Sequence, residues 1–531
     1  MQLTAGSITN KRQFMGFAMI LVFLVVVWNT AGWIITGKDQ QLILYGLAAV
    51  IGVLVVYIMK DWRTGVLLFF LWLLFEDLAR KYVNNNMVVY FGKDFLLTVA
   101  YLSYYLTRRH RRMELFKLPF LVPIGLFFFL ALIQVFNTWS PSVLYGILGM
   151  KLYFFYIPLA YLGYAMMERP SDLNRFLLIN VLAGSVIAAL GVVQSVLGID
   201  FLTPDDLAPE LVALTRLNRY SPVTHSLSAA TTSVFVSTGR YSAFLVLLWI
   251  LTLGTMGYLL LCREKGAIYC VVGVGLATLA AINSGTRTPV VFIGASALIM
   301  ASAFIWGVPW GFGYGTRMLK TVRRAFLVSA VGLLIMTTYF PEAISGHWAF
   351  VSETLSFGGQ GSELQGRAVD YPMENLLKAF QHERWLIGYG TGTNSLGLQY
   401  VSRLLDQPPV NIGVESGYGM LVVEMGILGL VLWFVWSGAV LFYAWKTVRQ
   451  LRDTVYFPIA FAIWWYAFVL LVLLPYLTAS YQNFVMCAYL WILIGILFRM
   501  PKLAEMSNPA PATNRVVAME SWQVATSGRR V

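Results

Sequence analysis

Residues 240–261 read RYSAFLVLLWILTLGTMGYLLL. Arg240 opens the run and no other charge follows within it. One helical crossing of a bilayer core needs roughly 20 apolar residues, so this run is long enough to span. Working outward, comparable apolar runs lie at approximately 14–36, 41–59, 64–77, 89–107, 118–137, 151–167, 175–198, 266–283, 288–307, 324–341, 417–445, 455–476 and 482–499. The composition agrees: of 531 residues, 58% are hydrophobic and 12% charged, whereas a soluble domain is about one quarter charged. The expectation is an all-α fold, a polytopic membrane helix bundle of about 14 transmembrane helices with a long, partly helical external loop. The runs at 64–77 and 151–167 are short or interrupted by polar residues. The first run follows Lys11 and Arg12 and lacks the small-residue cleavage site of a signal peptide. Three cysteines, Cys262, Cys270 and Cys487, fall in or beside apolar runs, which excludes a secreted disulfide scaffold.

The net charge of +13 first suggests acidic partners. Topology divides it. With the N-terminus inside, 25 of the 38 Lys and Arg fall on short inner connections and tails, among them Arg108, Arg109, Arg111 and Arg112, then Arg317, Lys320, Arg323 and Arg324. That is the positive-inside bias. An even number of spans with both termini inside satisfies it, and no nucleic-acid partner is needed. The expected divisions are N-terminal helices (1–200), an external loop (201–239), helices with an external Arg at their starts (240–341), a large external loop (342–416), C-terminal helices (417–499) and a disordered inner tail (500–531) rich in Pro, Asn and Ser. Long loops are usually functional.

The outer basic residues carry the information about a ligand. Most lie between 200 and 403: Arg216, Arg219, Arg240, Arg287, Arg367, Lys378, Arg384 and Arg403. Arg presents a fixed fork of donors that suits phosphate oxygens. Arg240, in Ser237-Thr-Gly-Arg240, and Arg287, in Ser284-Gly-Thr-Arg287-Thr-Pro289, each open a helix. Helix starts add free N–H groups and a positive dipole end. The pair reads as an anion site; the alternative is interfacial Arg reaching lipid headgroups. Lys151 is a secondary anion contact by position, Arg216 and Arg219 are loop charges, and Lys93-Asp94 reads as a local ion pair.

The loop 342–416 contains Trp385-Leu-Ile-Gly-Tyr-Gly-Thr-Gly-Thr-Asn-Ser395. It lacks the Lys-Ser/Thr of a nucleotide-binding loop and reads as a tight polar turn that shapes a cleft. Glu415 stands at the start of the span at 417–445, where a carboxylate near an apolar boundary suits a general base; a first-turn acid favoured by the helix dipole is the alternative. Glu424 lies nine residues further on. A carboxylate inside a span is functional by default, or it is a structural partner of a neighbouring helix. The four histidines show no ligand spacing, so no metal is expected.

Together, Ser284-Gly-Thr-Arg287-Thr, Gly366-Arg367, Leu386-Ile-Gly-Tyr-Gly-Thr-Gly392 and Glu415-Ser-x-Tyr418-x-x-Leu-x-x-Glu424-x-Gly426-Ile-Leu-Gly429 resemble the O-antigen ligase/polymerase superfamily. These are GT-C-type bacterial inner-membrane glycosyltransferases: Wzy-type polysaccharide polymerases and O-antigen ligases. The segment Thr238-Gly-Arg240-Tyr-Ser-Ala-Phe-Leu245 fits the same family, and the resemblance covers roughly residues 230–440. It implies a multi-pass inner-membrane protein with cytoplasmic termini and periplasmic loops. It implies a polymerase of exopolysaccharide, capsule or O-antigen, joining undecaprenyl diphosphate-linked oligosaccharides with no cofactor, alongside a flippase or a chain-length regulator. Arg240, Arg287 and Arg367 would then hold the diphosphate. Glu415, standing where ligases carry His, would be the catalytic base. Arg216, Arg219, Lys151, Arg403 and Tyr418 would be further substrate contacts. Two alternatives stay open: ligation of finished polymer to a lipid A core, and transport of a lipid-linked sugar. Transporters usually carry internal repeats and broken helices, and no repeat of 20–50 residues is visible.

Overall fold

The computed structural model describes residues 39–111, 116–220, 227–310, 312–341, 345–348, 366–406 and 412–507. The apolar run at 14–36 and the tail beyond 507 lie outside the described residues. The described chain is built almost wholly of helices, as its composition demands. Seven of them are long and apolar enough to cross a membrane: Val143–Met166, Pro170–Leu197, Thr238–Cys262, Arg287–Gly307, Gly417–Gln450, Phe457–Leu477 and Phe484–Met506. Three shorter apolar helices, Ala49–Lys60, Leu121–Val135 and Ala267–Ile282, cover further runs. The runs at 64–77, 89–107 and 324–341 are helical within Trp62–Tyr82, Met87–Arg111 and Phe312–Tyr339, which carry more charge. The segment between 199 and 239 is not plain loop. It holds a short helix, Pro209–Thr215, and an antiparallel pair of strands, Asn218–Tyr220 and Leu227–Ala229, with Asn218 opposite Ala229.

The described residues fall into two compact units. One takes in residues 39–70 and 94–111. It contains helix α1 (Asp39–Lys60), the first part of α2 (Trp62–Tyr82) and the later part of α3 (Met87–Arg111). Ser103 donates to the carbonyl oxygen of Ile58 at 2.9 Å, and Trp62 meets Tyr104 edge-on at 5.0 Å.

The other unit takes in residues 71–93 and everything described after 115. Its helices are α4 (Leu121–Val135), α5 (Val143–Phe154), α6 (Leu159–Met166), α7 (Pro170–Leu197), α8 (Pro209–Thr215), α9 (Thr238–Cys262), α10 (Ala267–Ile282), α11 (Arg287–Gly307), α12 (Phe312–Tyr339), α13 (Tyr371–Gln381), α14 (Leu398–Leu404), α15 (Gly417–Gln450), α16 (Phe457–Phe468), α17 (Leu474–Leu477) and α18 (Phe484–Ser507). Helix α9 is buried along most of its length and packs chiefly on α10 and α16. This explains why its sequence is apolar all round rather than on one stripe.

Close helix contact here depends on small residues, as expected where helices cannot gain from leaving water. Helix α6 packs tightly on α18. A Cβ on Gly163 would collide with the carbonyl oxygen of Ile492, and one on Gly495 with that of Ala160.

Helix α15 is broken. Gly426 has φ +70° and ψ −173°, a conformation that non-glycine residues avoid. A Cβ there would also collide with the carbonyl oxygen of Leu386. The break lies nine residues into the helix. It exposes backbone groups that the segment 385–390 takes up. Tyr389 N–H donates to Val423 O (2.8 Å), Gly390 N–H to Glu424 O (3.0 Å), and Ile427 N–H to Trp385 O (3.0 Å). A second irregularity is the wide turn Val469–Leu473 between α16 and α17. Two of its carbonyls accept from α15, Leu471 from Trp433 Nε1 (3.1 Å) and Val472 from Tyr418 Oη (2.7 Å).

The contact of α6 with α18 gives a direct test. Gly163→Ala and Gly495→Ala force two backbones apart, and each is expected to lose about 1–3 kcal/mol. Both should melt lower in detergent by scanning fluorimetry. Gly438→Ala, where a Cβ meets nothing within 4 Å, should melt like the unaltered protein.

Candidate functional site

The arrangement around Arg240 begins on α2. Glu76, Asp77 and Arg80 sit at three- and four-residue spacing, so they share one helix face. Arg80 Nη1 lies 2.9 Å from Asp77 and 3.6 Å from Glu76. Lys93 of α3 reaches Glu76 at 2.8 Å, a partner that its sequence neighbour Asp94 did not suggest. Arg240 Nη1 meets both oxygens of Asp77 at 2.8 Å. The result is a row of alternating charge: Lys93, Glu76, Arg80, Asp77, Arg240. The first four are buried, and Arg240 alone keeps 20% of its side chain exposed. Three cations and two carboxylates leave the row positive, with its open end at Arg240.

Aromatic rings line the same cluster. Lys93, Arg80 and Lys151 lie 3.7, 4.9 and 4.7 Å from the Tyr90 ring centre. Lys93 and Arg240 lie 4.2 and 4.6 Å from that of Phe484. Ring faces attract cations, so these contacts hold basic groups close to one another. Arg80 also binds Asn85 Oδ1 through Nε (3.1 Å) and Nη2 (2.7 Å), and Nη2 meets the Tyr400 hydroxyl. Its fork is fully engaged. Lys81, buried one residue further along α2, donates to Thr232 Oγ1 (3.0 Å) and Ser233 O (2.9 Å). Helix α2 thereby fixes the segment that leads into α9.

The starts of α9 and α11 lie side by side. Ser237 caps α9, accepting from Arg240 N–H at 3.3 Å. Thr286 stands at the cap position of α11, immediately before Arg287. The hydroxyls of Ser242 and Thr286 share a hydrogen bond of 2.7 Å, and Ser284 Oγ lies 2.8 Å from Thr286 Oγ1. Thr231 N–H donates to Ser284 O at 3.1 Å. The two Arg-bearing helix starts read from the sequence are therefore neighbours, and Lys151 shares the Tyr90 ring with Lys93 and Arg80 of the charged row.

Other residues singled out by sequence have partners elsewhere. Glu415 is exposed, just before the Ser416 cap of α15, and accepts from Tyr371 Oη at 2.7 Å. Arg216 pairs with Asp200 (3.3 Å) and Asp205 (3.8 Å). Arg403 pairs with Glu210. Tyr418 is buried with its hydroxyl on Val472 O. Arg219 lies in the first strand and Arg367 in the turn Gly366–Asp370; their side chains lie outside the described residues.

Glu424 is fully buried and well satisfied. Ser395 Oγ donates to it at 2.6 Å, Tyr153 Oη at 3.0 Å and Asn394 N–H at 3.2 Å. Gln482 Nε2 braces this set, reaching Tyr153 Oη (2.8 Å) and Ser395 Oγ (3.2 Å). Gln134 and Asn137 donate to the carbonyls of Ile387 and Gly388 at 2.8 and 3.2 Å. The Gly-rich turn is thus an inserted, tightly held segment between α4, α5 and α15.

Compared with known proteins, the chain matches no family model, no curated protein and no solved structure. Sequence reasoning passed over Glu76, Asp77, Arg80 and Lys81, since they only marked the end of a short run. The signal was there: two adjacent acids followed at three and four residues by Arg, at the end of an apolar helix.

Glu424→Ala leaves three buried donors without their acceptor. An unsatisfied buried group costs about 1–3 kcal/mol. The variant is expected to melt markedly lower, and limited proteolysis should cut it earlier within 385–395. Glu424→Gln, which keeps an acceptor oxygen, should lie between it and the unaltered protein.

Proposed function

We propose that this protein is a polysaccharide polymerase of the bacterial inner membrane. In this reading about fourteen helices cross the membrane, both termini are cytoplasmic, and the segments 201–239 and 342–416 face the periplasm. The substrates are undecaprenyl diphosphate-linked oligosaccharides. The observation that carries the reading is the pairing of two helix starts, each bearing an Arg, through Ser242 and Thr286. Guanidinium groups and helix-start amides suit a diphosphate. The rest comes from the resemblance of residues 230–440 to the O-antigen ligase/polymerase superfamily.

The chemistry follows from a donor already activated by its diphosphate. An acceptor sugar hydroxyl attacks the anomeric carbon of the donor glycan, and the bond from that carbon to the phosphate oxygen breaks. Arg240 and Arg287, with Arg367, stabilise the diphosphate as charge develops on it. Glu415 takes the proton of the attacking hydroxyl; its exposure and its bond from Tyr371 suit a group that meets substrate.

A second reading has one observation of its own. The broken helix α15, with a carboxylate beside the break, is a feature of membrane transporters. Transport would move a lipid-linked sugar without altering it.

The assay is purified protein with a lipid diphosphate-linked repeat unit, products resolved as a glycan ladder. The ladder is expected from the unaltered protein. Arg287→Ala and Glu415→Gln should each slow it about 100-fold, the scale for loss of one charge-stabilising or proton-accepting group. Full ladders from both variants would refute the site. A single transfer product would indicate ligation to another acceptor, and unchanged substrate moved across a vesicle membrane would indicate transport.

A further inference from the structure

We propose that Asp77 is a positioning residue for Arg240, holding its guanidinium by one nitrogen so that the rest of the fork faces the anion. The inference rests on the reading that Arg240 meets a diphosphate, and it names a residue on a distant helix, 163 positions away in sequence, that this contact needs.

Three observations carry it. Both carboxylate oxygens of Asp77 converge on Nη1 of Arg240. Among the described residues, the hydrogen bonds of the Arg240 guanidinium both run through Nη1 and leave Nε and Nη2 without one, and the side chain is partly exposed. An Arg fork binds phosphate best through two parallel N–H groups, and the Nε and Nη2 edge offers such a pair. Secondly, Asp77 is itself held. It accepts from Arg80 at 2.9 Å and from Val236 N–H at 3.3 Å. Val236 lies one residue before the Ser237 cap, so Asp77 grips both the backbone that enters α9 and the side chain in its first turn. Thirdly, the negative charge of Asp77 does not cancel the site. Arg80 flanks it on the other side, and Glu76 is flanked in turn by Arg80 and Lys93. The row stays positive and its open end is Arg240.

The alternative is that Asp77 only neutralises a half-buried Arg. The two roles differ in what happens to anion affinity in a folded protein. The probe is farnesyl diphosphate, titrated calorimetrically into the purified full chain in nanodiscs, with melting temperature measured in parallel. The unaltered protein should bind it. Arg240→Gln and Asp77→Asn should each weaken binding about tenfold or more, the scale for truncating one partner of a charge-assisted contact. The double variant should bind no worse than Arg240→Gln alone, because Asp77 acts only through Arg240. Asp77→Glu keeps the charge but lengthens the arm, and should weaken binding several-fold with little change in melting temperature.

Folded Asp77→Asn that binds like the unaltered protein would overturn the proposal, as would a double variant whose losses add. Should Asp77→Asn not fold, Asp77→Glu decides, and binding equal to the unaltered protein overturns the positioning role. Failure of the unaltered protein to bind the diphosphate is a separate result. It removes the proposed reading of Arg240, and the role of Asp77 with it.

Discussion

The row Lys93, Glu76, Arg80, Asp77, Arg240 is the constraint around which the second unit is arranged. A charge in an apolar interior is tolerated only with a partner at contact distance. Here both carboxylates are flanked by cations; two of the ion pairs tie different elements, α3 to α2 and α2 to α9, and those of Arg80 link them along α2. Removing one member of a buried pair typically costs about 3–5 kcal/mol, so the row fixes these helices in one relation. Lys81 extends the hold to Thr232 and Ser233. Gln194 adds to it, its Oε1 accepting from the N–H groups of Thr232 (2.9 Å) and Ser233 (2.7 Å). The buried approach to α9 is therefore gripped from α2 and α7 before the first turn that presents Arg240.

The same requirement, applied to backbone rather than charge, explains the irregular helices. Inside a membrane an unpaired amide or carbonyl has no water to turn to. The break at Gly426 is possible because Tyr389, Gly390 and Trp385 supply the missing partners. The wide turn at Val469–Leu473 is possible because Trp433 and Tyr418 of α15 reach its carbonyls. Both departures from regular helix are matched by a side chain or loop from elsewhere, which is why the Gly-rich segment is so tightly held. The proposed function places chemistry at the Arg-bearing helix starts, and the inserted segment belongs to the same unit.

The helices were legible because apolar runs announce themselves by length, and the helix starts at Arg240 and Arg287 because Ser, Thr and Gly precede them. Glu424 was legible as a buried acid with two readings, and its donors Ser395 and Tyr153 favour the structural one. The partner of Arg240 was not legible. Asp77 is far away in sequence, and within its own run it looked like an interruption. The break in α15 was hidden for a related reason. A glycine in an apolar run is usually a packing residue, and what marks Gly426 within its helix is its positive φ beside the inserted Leu386 carbonyl. Long-range pairing, which one chain does not display, decided both.

The network at Glu424 has a consequence for how the protein is made. Its members come from four separate stretches: Tyr153, then Asn394 and Ser395, then Glu424, and last Gln482. During synthesis the Gly-rich segment emerges before the helix whose break it fills, and Gln482 arrives only with the final helices. Until then Tyr153 and Ser395 lack their brace, and the N–H of Leu396 lacks the Gln482 oxygen it meets at 2.7 Å. The segment therefore stays only partly paired while about ninety further residues are translated. The last helices are the latch that closes behind it, because Gln482 supplies the bonds that complete the set.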